Sequence, residues 1–288
     1  MVNKDIYSPI IIIGMHRSGT TMITKMLEEL GLFVGSKKDE NNESVFFSEL
    51  NDWLFKQCGG SWDNPESFYY LLENQNVKDL AIDYIKYILN SHWFISYLGI
   101  NNYIRYKNPH NITIPWGWKD PRNTFWLPIW LEIFPNAKII HIYRHGVDVA
   151  NSLKVRAEKQ LYESTQRHLR RKRFYLYSLS KKKGLFVPSI NAIDLEENMK
   201  LWDKYIEQSF TYNFSNENIL HIKYEDFLSQ PIVKLQNVVD FCHLKVDSVK
   251  IAQSVAHIRK GRAYAFNGNL QLEQLAETFE KSLNKFGY

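Results

Sequence analysis

Gly14-Met15-His16-Arg17-Ser18-Gly19 places two glycines five positions apart around an arginine, and Thr20 and Thr21 follow. A glycine-bracketed turn frees backbone N–H groups to converge on an anion. Thr20 and Thr21 add hydroxyl donors and Arg17 a cation, so the chemistry is the binding of a phosphate or sulfate. A magnesium-nucleotide loop of this Gly-x4-Gly spacing needs Lys after the second glycine and then Ser or Thr for the metal. Here Thr20 takes the Lys place and the cation sits inside the loop, so the ATP·Mg²⁺ machinery is incomplete. A second pair, Arg144 and Ser152, stands eight residues apart at a strand-to-helix junction, where a guanidinium fork and a hydroxyl suit a second anion.

The elements that must position these residues are legible. Ile10–Ile13 reads as a buried strand entering the loop. Met22, Ile23, Met26, Leu27 and Leu30 recur at helical spacing after it, and Gly31 stops the helix. Residues 137–143 form a second strand, ending at Arg144, and 218–224 a third. Helical patterns cover about 44–54, 77–90, 127–134, 195–210 and 270–286, and another starts at Pro231. Residues 91–118 are aromatic and Asn-rich with little periodicity, and read as an irregular excursion. Strands alternating with helices predict an α/β fold with a central parallel sheet.

The Arg-Ser-Gly-Thr-Thr loop resembles the 5′-phosphosulfate loop of sulfotransferases that use 3′-phosphoadenosine 5′-phosphosulfate (PAPS), closest to the bacterial carbohydrate, natural-product and tyrosylprotein types. Three further blocks resemble that family in order: Trp118-Lys-Asp-Pro-Arg122, Ile139–Arg144 with Ser152, and Tyr224-Glu-Asp-Phe227. Arg259-Lys-Gly-Arg262 is similar to its late Arg-Lys-Gly segment. The resemblance implies a P-loop NTPase-like three-layer α/β/α domain over 1–288, with acceptor-site excursions at about 55–115 and a basic helical insertion at about 154–215. It implies that His16, Arg17, Ser18, Gly19, Thr20, Thr21, Arg144, Ser152 and Tyr224 hold PAPS. Lys119 would meet the sulfate or bridging oxygen, and Glu225 and Asp226 would brace the structure. The catalytic set would be Arg17, Glu43 and Lys119, with Glu43 as general base and Glu40, Glu49 and His16 as competitors. No metal is required in principle, because fixed cations serve instead. The acceptor would be a hydroxyl or amine of a small molecule, carbohydrate or natural product. The alternatives are a kinase-like phosphotransferase and a non-catalytic nucleotide-binding protein.

Composition limits the rest. The 288 residues are 44% apolar, enough for a core, but mean hydropathy is −0.37 and no long apolar run suggests a membrane span. No secretory signal is visible, and two cysteines, Cys58 and Cys242, make neither a disulfide framework nor a metal site. A reducing, cytoplasmic setting is expected. The net charge of +5 is uneven: eleven basic residues against Glu158 and Glu163 give +9 between Lys154 and Lys183, leaving −4 elsewhere. That element reads as a solvated helix pair, a lid drawing in an anionic acceptor, or a patch for acidic lipid. Nucleic acid is not an expected partner, since no recognised binding module accompanies it.

Overall fold

Every residue of strand β1 (Ile10–Ile13) is buried, because the strand is interior to its sheet and covered on both faces. The computed structural model describes residues 7–174, 185–212, 218–258 and 260–288. In it β1 lies between β2 (Gly117–Lys119) and β3 (Lys138–Tyr143), and β3 pairs with β4 (Ile219–Lys223). The sheet is parallel with order β2-β1-β3-β4. The chain runs outward from β1 to β2, then returns past β1 to β3, so the winding direction reverses between β1 and β3. Open parallel sheets bind ligands beyond the carboxyl ends of their strands at such a reversal. Here those two ends lead directly into Gly14–Thr21 and Arg144.

The helices are α1 (Thr20–Glu29), α2 (Val45–Gln57), α3 (Phe68–Glu73), α4 (Gln75–Leu89), α5 (Ile95–Tyr106), α6 (Asn123–Ile133), α7 (Gly146–Arg171), α8 (Leu195–Thr211), α9 (Tyr224–Ser229), α10 (Pro231–Phe241), α11 (Ser248–Val255), α12 (Leu270–Thr278) and α13 (Glu280–Lys285). Side chains alternate across a strand, so Ile10, Ile12, Ile140, Ile142 and Ile222 share one face. They pack there with Ile23 and Leu27 of α1, Phe227 of α9, and Leu235, Val238 and Val239 of α10. The other face meets α6 and an aromatic cluster in which Phe47 stacks on Trp118 at 3.8 Å and Trp130 meets Trp118 edge-on at 5.1 Å. The expected α/β fold with a central parallel sheet is the one observed.

The chain divides into two compact units, Met1–Arg144 with Tyr205–Ala263, and His145–Lys204 with Tyr264–Tyr288. The first holds the sheet. In the second, the Asp148 carboxylate accepts from the amides of Ala265 and Phe266 at 3.2 and 3.1 Å, and the His145 ring stacks on Phe266. Asn198 donates to the carbonyls of Ala150 and Ala192. Helix α7 carries the basic run as far as Arg171; residues 175–183 of that run lie outside the described residues. No described helix is long and apolar enough to cross a membrane.

Two sequence expectations change. Residues 91–118 are not irregular throughout, for they contain α5 and β2. Gly99 interrupts α5 with φ 71° and ψ 165°, which breaks the periodicity that would have revealed it, and a three-residue strand is too short to show alternation. The single C-terminal helix is two, α12 and α13.

Pro128 lies inside α6 and has no N–H for the carbonyl of Thr124, four residues earlier. The Tyr212 hydroxyl donates to that carbonyl instead, at 2.8 Å, and burial raises the Tyr212 phenol above its ordinary value. Tyr212→Phe therefore leaves a buried carbonyl unsatisfied and is expected to cost about 1–3 kcal/mol in urea unfolding. Adding Pro128→Ala restores the helical donor, so the double variant should recover most of that loss.

Candidate active site

Between β1 and α1 the backbone turns through three left-handed residues: Gly14 (φ 128°), Arg17 (φ 71°) and Gly19 (φ 96°). Gly14 allows close passage, since a Cβ there would stand 2.1 Å from the carbonyl oxygen of Ile142 in β3. The Ser18 amide closes the turn on the Met15 carbonyl at 3.2 Å. Helix α1 then starts with no side-chain cap and no acidic residue in its first turn, so its positive end is left for another anion. Ser18 is 1% exposed, and its hydroxyl has no partner among the described residues. A buried hydroxyl without a bond is uncommon. At the start of an uncapped helix, it is a donor that a phosphate or sulfate oxygen would satisfy.

Arg144 follows β3 and is 8% exposed. Its guanidinium donates to the carbonyl of Arg262 at 2.6 Å and to that of Arg17 at 3.4 Å, and lies 4.8 Å over the Tyr224 ring. Tyr224 opens α9 directly after β4. Its ring presses on the loop so closely that a Cβ on Gly19 would come within 2.5 Å of it. The ends of β1, β3 and β4 thus bring Arg17, Gly19, Arg144 and Tyr224 together. The His16 ring stands edge-on to Trp62 at 4.8 Å. Ser152 is partly buried on α7 in the second unit, so its pairing with Arg144 rests on sequence spacing. Arg259 lies outside the described residues.

Glu43 and Lys119, 76 positions apart, meet at 2.8 Å through Oε1 and Nζ, each nearly inaccessible. Lys119 Nζ is also 3.5 Å from the Thr21 hydroxyl at the start of α1. Glu43 is delivered by a tight turn. Its amide donates to Asp39 Oδ1 at 2.7 Å, its carbonyl accepts from the Asp39 amide, and the Thr21 hydroxyl donates to the Asn41 carbonyl at 3.0 Å. Burial is the main force raising the Glu43 carboxyl to about 7. The Asp120 charge adds to it, against the opposing pull of Lys119 and Arg122. Glu40 and Glu49 are exposed, so burial singles out Glu43 among the candidate carboxylates.

Sequence reasoning assigned no site role to Asp120, Arg122 or Asn51. Asp120 is fully buried. Its carboxylate accepts from Arg122 Nε and Nη2 at 3.0 and 2.9 Å, from the Arg122 amide at 2.9 Å and from Asn51 Nδ2 at 2.9 Å. Burial works against the Arg122 charge, yet Asp120, Glu43 and Asp52 together hold its proton above the ordinary guanidinium value. The Asp-Pro-Arg wording after β2 was the available signal: an aspartate two residues before an arginine, across a proline, can bind both its amide and its fork.

Residues 9–248 match the sulfotransferase family. No curated protein matches the chain. Among solved structures, the sulfotransferase domain from the curacin biosynthetic pathway aligns with TM-score 0.51 at 15% identity, over 95% of this chain and 97% of that one. A sulfotransferase from Alicyclobacillus acidocaldarius gives 0.49 at 15% identity, over 96% and 92%. The sulfotransferase domain of the Synechococcus PCC 7002 olefin synthase gives 0.47 at 17%, over 97% of each. The matched span is most of the chain and contains the Gly14–Thr21 loop, Glu43, Lys119, Arg144 and Tyr224, and this chain therefore belongs to the sulfotransferase family.

Proposed function

We propose that the protein transfers a sulfuryl group from PAPS to a hydroxyl or amine of a small-molecule, carbohydrate or natural-product acceptor, with Glu43 as general base. The observation that carries this reading is the buried link from Glu43 through Lys119 to Thr21 at the mouth of the anion loop. PAPS would supply the activated sulfuryl group and depart as 3′,5′-ADP. The loop amides, Ser18, Thr20, Thr21 and Arg17 fit the 5′ end of that nucleotide. Arg144 fits its 3′-phosphate, with Ser152 assigned beside it by sequence spacing.

Transfer of this kind passes through a loose, in-line transition state, so the protein mainly positions groups and offsets charge. Glu43 takes the acceptor proton as the new bond to sulfur forms. Once protonated it no longer holds Lys119 as an ion pair. The ammonium is then free to favour the oxygen on which negative charge collects, beside Arg17 and the first turn of α1. A base near neutrality suits both halves of that exchange.

Glu43→Gln should lower kcat by about 10²–10⁴-fold and leave calorimetric affinity for 3′,5′-ADP within about twofold. A parallel loss of both would make Glu43 a structural residue. Because only the ionised carboxylate accepts a proton, kcat/KM should fall as pH drops through about 7, and the residual activity of the variant should lack that limb.

Titration in EDTA should show tight binding of 3′,5′-ADP, weakened about 10–100-fold by Arg144→Ala, as for the loss of charge-assisted hydrogen bonds. A preference for ATP with Mg²⁺ would turn the assignment to a phosphotransferase. Binding of neither would leave a nucleotide-free scaffold.

A further inference from the structure

Glu43 Oε2 has a second cation nearby. Arg122 Nη2 is 3.9 Å away, short of a direct bond, while the same nitrogen is 2.9 Å from Asp120 Oδ2 and 2.5 Å from the Ser48 hydroxyl. A guanidinium that moved about one ångström toward Glu43 would form a charge-assisted bond with it. Glu43 would then carry two cations and be a poor proton acceptor.

What prevents that movement is the clamp on Arg122. Asp120 holds it in a fork with two parallel bonds and fixes its amide as well. Asp52 draws the outer edge, Nη1, at 3.6 Å. Asp120 is itself held by Asn51, whose amide orientation is set by an indole. Trp130 Nε1 can only donate, so it fixes Asn51 Oδ1 as its acceptor at 2.9 Å and leaves Nδ2 for Asp120 and for Asn123 Oδ1. Trp118 Nε1 fixes Asn123 in the same way at 3.1 Å. Every member of this buried network has a partner, the condition under which polar interiors become rigid.

We propose that Asp120 and Arg122 are positioning residues for the transfer: Asp120 detains Arg122 so that Glu43 is hydrogen-bonded to one cation, Lys119, and remains able to accept a proton. This rests on Glu43 being the base. The charged and titratable groups around Glu43 are Lys119 from β2, Asp120 and Arg122 from the turn after it, Asp39, which holds the Glu43 amide from its own turn, and Tyr205 from α8; Asp52 of α2 acts on it through Arg122.

The test is a carbon-13 NMR titration of protein labelled at the glutamate side-chain carboxyl, with Glu43→Gln identifying the Glu43 resonance. Asp120→Asn should move the Glu43 midpoint down by about one pH unit, since it removes a negative charge and releases Arg122. Arg122→Gln should move it up by about one unit. Asp52→Asn, at a half-exposed position, should give a smaller downward shift and serves if Asp120→Asn does not fold. Calorimetric affinity for 3′,5′-ADP should stay within about twofold in each folded variant. Midpoints that stay put, or that move in the same direction for Asp120→Asn and Arg122→Gln, would overturn the proposal. Failure of the base assignment shows separately, as normal turnover by Glu43→Gln whatever the titration gives.

Discussion

The buried ion pair of Glu43 and Lys119 is the interaction on which the remainder of the site depends. Removing two charges from water costs several kcal/mol per ion, and one contact at 2.8 Å does not by itself offset that. The surroundings make the pair tenable. Lys119 reaches the Thr21 hydroxyl, Arg122 and Asp120 extend the charge alternation, and the turn at 39–43 fixes the backbone amide and carbonyl of Glu43. The pair is balanced closely enough that burial still leaves the carboxyl near neutrality. A more strongly stabilised ion pair would be a better structural element and a weaker proton acceptor.

The sheet explains why these groups can meet. Lys119 ends β2, the anion loop follows β1, Arg144 follows β3 and Tyr224 follows β4. Parallel strands all deliver their carboxyl ends to one edge, so four segments spread over two hundred residues end on the same side of the sheet. Glu43 does not follow a strand of the sheet; it stands in the turn before α2, held there by Asp39. The Gly14 passage against Ile142 sets how near the β1 and β3 ends lie, and through that how near the loop lies to Arg144.

Much of this was legible beforehand for a physical reason: anion loops and buried strands are local patterns. Ile10–Ile13, the Gly-x4-Gly turn, Arg144 at its strand end and the 77–90 helix each declare themselves within a dozen residues. The unread parts depend on contacts distant in sequence. Strand β2 is three residues long and gains its identity only by pairing with β1. Helix α5 is hidden by the break at Gly99. Asp120 looks like any polar turn residue until Asn51, 69 positions earlier, is found against it. Burial, likewise, is what separates Glu43 from Glu40 and Glu49, and no local pattern reports it.

The left-handed backbone of Arg17 bears on how such a loop can change. A side chain in that region costs about 1 kcal/mol or more of backbone energy relative to glycine, and the interactions of the Arg17 side chain stand against that cost. A substitution that removes those interactions but keeps a Cβ leaves the backbone strain in place, so at position 17 a change of charge and a change of stability come together.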